Sequence, residues 1–137
     1  MMKKTILFGS GLISLLSATT IHIPVDYENI QEGIDASVDG DTVLVDEGTY
    51  SENLILEKEI VLASHAIYED HDSEWLDNDN INNTIISGSH SGSCLVIKDG
   101  NIAPKIFGFT FQDGTGTNML TTKCDVTKSD RSGGAVL

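Results

Sequence analysis

The chain has 137 residues, with 8 Lys and Arg against 21 Asp and Glu, a formal charge of −13, and only 6% aromatic residues beside 13 Gly. That length suits one domain with a core, and the charge excludes nucleic acid, whose binding is built on Lys/Arg stripes. Few aromatics with abundant Gly, Asp, Asn and Thr point to a turn-rich β structure rather than a helical bundle. At the start, the basic Met1–Lys4, the apolar Thr5–Leu16 and the small Ser17–Thr20 read as a secretory leader over residues 1–20, cut between Ala18 and Thr20. Gly9, Ser10 and Gly11 argue against a stable soluble helix there. Removing this leader takes Lys3 and Lys4 away and makes the mature chain more acidic still. No integral membrane segment is expected after removal, and the destination is the periplasm, the cell surface or the medium. In those oxidising compartments Cys94 and Cys124 are a candidate disulfide, with two free thiols as the alternative.

Ile21–Val25 reads as an edge strand, where Pro24 is tolerated. Tyr27, Ile30, Ile34 and Val38 then recur at helical spacing, so a helix is predicted over about 26–38, capped by Asp26 and closed by Gly40. From about residue 41 the chain becomes short Val/Ile/Thr-rich strands between turns: Thr42–Val45, Leu54–Leu56, Ile60–Ala63, Thr84–Ser87, Cys94–Ile97, Ile106–Phe111 and Ala135–Leu137. Such short segments, grouping in threes, favour an all-β right-handed parallel β-helix, a solenoid whose first coil is covered by the N-terminal helix. Two polar stretches, about 69–83 and 115–132, read as inserted loops.

The first of these loops carries the candidate ion ligands. Asp70, Asp72, Asp77 and Asp79 place carboxylates two apart, a spacing that Ca²⁺ loops use. Counting from Asp70, however, puts Trp75 and Ile81 where an EF-hand needs Gly and Glu, so the alternatives are a weak Ca²⁺ loop and a solvated acidic loop. Trp75 either anchors that loop or stacks on a sugar ring. His22, His65, His71 and His90 show no zinc spacing, and Ser89 and Ser91 lie in no nucleophile elbow.

Ile30-Gln31-Glu32-Gly33-Ile34-Asp35-Ala36, then Asp39-Gly40-Asp41-Thr42-Val43-Leu44-Val45 and Gly48-Thr49-Tyr50-Ser51-Glu52-Asn53, resemble the opening of secreted parallel β-helix proteins of the pectin-lyase-like superfamily. Thr84–Gly88, Ile106–Phe111 and Gly133–Ala135 resemble later coil elements of the same group. The resemblance implies structural roles for five positions. Gly40 and Gly48 would hold turns of positive φ, Tyr50 would cover the edge of the first coil, and Glu52 or Asn53 would bond turn backbone. It also implies that residues 21–137 are the N-terminal part of a longer β-helix.

For activity the resemblance implies little within this chain. Gly48-x-Tyr50-x-Glu52 is similar to a pectin methylesterase motif, but Gly134 stands where that family has its first active-site Gln. Arg131 is the one arginine and sits in a polar turn. The expected function is therefore a secreted module, non-catalytic in this chain, that contacts a polysaccharide or a cell-surface protein. The alternative is the N-terminal part of a pectate-lyase-like or pectin-methylesterase-like enzyme with its catalytic residues beyond residue 137.

Overall fold

The computed structural model describes residues 17–70, 77–120 and 129–132. β1 (Thr20–Ile23) is followed by α1 (Ile30–Ala36) and then by β2 (Thr42–Val45), β3 (Gly48–Ser51), β4 (Leu54–Leu56) and β5 (Val61–Ser64). A 3₁₀ turn (His65–Tyr68) and α2 (Asp79–Asn83) lead to β6 (Thr84–Ser87), β7 (Leu95–Ile97), β8 (Lys105–Phe107) and β9 (Thr110–Gln112). β10 (Thr117–Leu120) and β11 (Ser129–Ser132) close the order as an antiparallel pair.

Three parallel sheets result, in the orders β1-β2-β5-β8, β3-β6-β9 and β4-β7. Consecutive strands go to different sheets, so each sheet is assembled from segments far apart in sequence. The registers Thr42↔Val61, Gly48↔Thr84 and Leu54↔Leu95 bring residues of like side together. Ile23, Val43, Val45, Leu54, Leu56, Leu62, Ile86 and Leu95 thereby meet in one buried core. Each such side chain contributes about 1.5–3 kcal/mol on leaving water.

The expectation of an all-β solenoid is not met. Among the described residues two separate α-helices stand beside three parallel sheets, and the fold is mixed α/β. The reason lies in the polar run read as loop: Asn78 Oδ1 accepts from Ile81 N, which satisfies a first-turn donor of α2 and lets Asp79–Asn83 turn helical. Likewise, part of the stretch 115–132 forms the β10–β11 pair. The predicted strand Ile106–Phe111 is two strands, split at Gly108, whose φ is +73°. A Cβ there would lie 2.8 Å from the Ala66 Cβ and would also run into the Ser64 hydroxyl. Ala135–Leu137 lies outside the described residues.

α1 is shorter than the periodicity suggests. Ile30 and Ile34 are buried, whereas Tyr27 and Val38, which share their spacing, lie beyond the helix and are exposed. Asp26 does not cap it; its Oδ2 accepts from His22 N instead. The cap comes from a distant residue. Glu52 accepts from Ile30 N through one oxygen and from Gln31 N through the other, both at 3.0 Å. At the far end Lys58 Nζ donates to the carbonyls of Ile34, Asp35 and Ser37 at 2.9, 2.6 and 2.7 Å. An anion at the N-terminus and a cation at the C-terminus both match the helix dipole. Gly33 leaves room for β1: a Cβ there would lie 2.7 Å from Ile23 Cδ1.

Candidate functional site

Sheet register builds one exposed polar and aromatic shelf. Val45↔Ser64 pairing puts the next residues, Asp46 and His65, side by side at the ends of β2 and β5. His65 Nε2 lies 2.7 Å from Asp46 Oδ1, with the two side chains 40% and 45% exposed. Ser64 Oγ accepts from Ala66 N and so starts the 3₁₀ turn that carries His65 and Tyr68. The Tyr68 ring stands 6.2 Å from the His65 ring, tilted by 54°, and the residue is 70% exposed. Beyond it, the Glu69 carboxylate accepts from the side-chain amides of Asn78 and Asn80, which ties α2 to the shelf. Beneath, Tyr50 Oη donates to Asp46 O at 3.0 Å. Burial, then the charges of Asp46 and Glu52, push the Tyr50 phenol above its ordinary range, so it stays a donor.

An open aromatic face beside a hydrogen-bonded imidazole and carboxylate can serve a ligand with an apolar face and hydroxyl edges. The negative ring face attracts polarised C–H groups, while His65 and Asp46 exchange hydrogen bonds with hydroxyls.

A second turn corner gathers Ser87, His90 and Asp113. Ser87 Oγ donates to Asp113 Oδ2 at 3.1 Å, and His90 Nε2 lies 3.7 Å from Asp113 Oδ1. The carboxylate sits between serine and histidine. A nucleophilic relay needs the imidazole in that middle position to take the hydroxyl proton, so this geometry does not activate Ser87. It holds a tight turn, in which Ser89, His90 and Asp113 all have positive φ of 49–57°. A concavity of about 410 Å³ opens at the opposite ends of the β2, β5 and β8 strands between Asp39, Glu59 and Lys105.

The positions singled out by resemblance are placed as follows. Gly40 has φ +91° at the turn before β2, whereas Gly48, at 159°, is close to extended. Glu52 caps α1 rather than a turn. Asn53 bonds turn backbone, its Nδ2 donating to Gly88 O and Ser93 O while its Oδ1 accepts from Ser91 Oγ. Asp70, Asp77 and Asp79 are exposed, and Asp79 lies in the first turn of α2. Asp72 and Trp75 lie outside the described residues. Among the described residues no three potential metal ligands come together. Cys94 is buried and has no disulfide partner among the described residues; its Sγ lies 3.1 Å from Gln112 O, and Cys124 lies outside the described residues.

Sequence reasoning weighed His65 only for zinc spacing and did not single out Tyr68. The available signal was their i, i+3 spacing directly after a strand, which a 3₁₀ turn aligns on one side. Compared with known protein families, curated proteins and solved structures, the chain gives no match. Among the described residues no helix is long and apolar enough to cross a membrane.

Proposed function

We propose that this chain is a secreted module, non-catalytic in itself, that contacts carbohydrate through the shelf formed by Asp46, His65 and Tyr68. The observation that carries the reading is the exposed Tyr68 face beside the 2.7 Å His65–Asp46 pair. The leader-like N-terminus and the resemblance of residues 30–53 to secreted proteins support an extracellular setting. The charge of −13 favours neutral or cationic sugars, because a polyuronate is repelled unless a cation bridges the two.

Calorimetric titration with neutral, cationic and acidic oligosaccharides tests this. Neutral or cationic oligomers bind, and Tyr68→Ala weakens them about tenfold, roughly 1.4 kcal/mol. Tyr68 is exposed, so the variant keeps its thermal midpoint. No binding in any class, or binding that Tyr68→Ala leaves unchanged, overturns the reading.

A further inference from the structure

The sheet begins inside the window, Ala18 to Thr20, in which the leader is expected to end. Thr20 is already the first residue of β1, in register with Thr42. One residue earlier the main chain is also fixed on both sides. Thr19 O accepts from Thr42 N at 2.9 Å, and Thr19 N donates to Asp41 Oδ1 at 2.8 Å. Asp41 is only 5% exposed, and its other oxygen accepts from Val38 N at 2.9 Å. A carboxylate this buried needs its donors kept, since losing one leaves charge in a poorly solvated site. Ser17 and Ala18, in contrast, are exposed and take no part in the sheet.

Resting on the secreted reading above, we propose that a leader peptidase cuts between Ala18 and Thr19, and that the new Thr19 α-ammonium becomes the ion-pair partner of Asp41. Water adds across the Ala18–Thr19 peptide bond: the Ala18 carboxylate departs with the leader, and the Thr19 nitrogen gains protons as an ammonium. The donor atom is the same nitrogen already 2.8 Å from Asp41 Oδ1, now charged, and a charged donor to a carboxylate is about twice as strong as a neutral one. Ala18 is the small residue directly before this bond, and Leu16 stands three before it, so the small-residue pattern is met at the nearer position alone. A cut after Thr19 removes both the Asp41 donor and the Thr42 acceptor, and a cut after Thr20 removes the first residue of β1 as well. Of the cuts from Ala18 to Thr20, the one after Ala18 keeps both Thr19 contacts.

The test is to express the full chain with its leader in an exporting bacterium and read the exported N-terminus by mass and by sequencing. Thr19 is the expected first residue. Export with any other first residue overturns the proposal and leaves the secreted reading standing, whereas an uncut chain retained inside overturns both. The ion pair has its own readout. One extra alanine ahead of Thr19 moves the ammonium off Asp41 and lowers the thermal midpoint by about 4 °C, and in an Asp41→Asn background the difference vanishes. Equal midpoints for the two N-termini with Asp41 intact overturn the ion pair.

Discussion

Single side chains do unusually long-range work in this protein. Glu52 and Lys58 flank β4, yet each closes one end of α1, more than twenty residues earlier in the chain. Glu52→Ala frees two helix donors and lowers unfolding free energy by about 1–2 kcal/mol in urea titration, with Glu52→Gln losing less. Gly108→Ala places a Cβ against Ser64 and Ala66 at positive φ, and costs about 2 kcal/mol or more by the same measurement. Asp41 adds a pH dependence. Amide donors from Val38 first and Thr19 second hold its carboxyl below the usual range, against the opposing effect of burial. A lowered folded value means the stabilisation is present above the ordinary Asp pKa of about 3.9 and is lost as pH falls through the folded one. Asp41→Asn therefore flattens the loss of stability on acidification below about pH 4. None of these roles is visible in local sequence. Glu52 and Asn53 could be marked as structural from their motif, but not the helix that Glu52 caps or the 35-residue reach from Asn53 to Gly88.

At the scale of elements, α1 acts as the missing neighbour of β4. Gln31 Nε2 donates to Ile55 O at 3.2 Å, and Ile55 N donates to Gln31 Oε1 at 2.8 Å, so one side-chain amide stands in for a pairing strand. An unguarded edge is a template for association. Gln31→Ala is expected to lower stability by about 1 kcal/mol and to raise concentration-dependent association in sedimentation experiments above that of the native chain. Strands β2, β4 and β6 match the segments read from sequence, because each is a short Val/Ile/Leu-rich run bounded by turn residues. β3 is not among the strands expected from sequence, since Gly48-Thr49-Tyr50-Ser51 has little apolar content. Its pairing with β6 overrides that local preference. α2 was missed for a related reason: Asp79–Asn83 has poor helix formers and forms through Asn78 and its contacts rather than through propensity.

For the whole molecule, the recurrence of short strands in threes was legible and the class was not, because capping and tertiary contact made helix out of a polar stretch. The shelf was not legible. Asp46, His65 and Tyr68 are scattered in sequence and become neighbours through the parallel register of β2 and β5. Its exposure, aromatic face and paired polar groups are what the carbohydrate reading rests on. The most direct test is NMR titration of the protein with neutral and cationic oligosaccharides. The account predicts saturable shifts concentrated at Asp46, His65–Glu69 and Asn78–Asn80. Shifts confined to the concavity between Asp39, Glu59 and Lys105, or no saturable shift with any glycan, would contradict it.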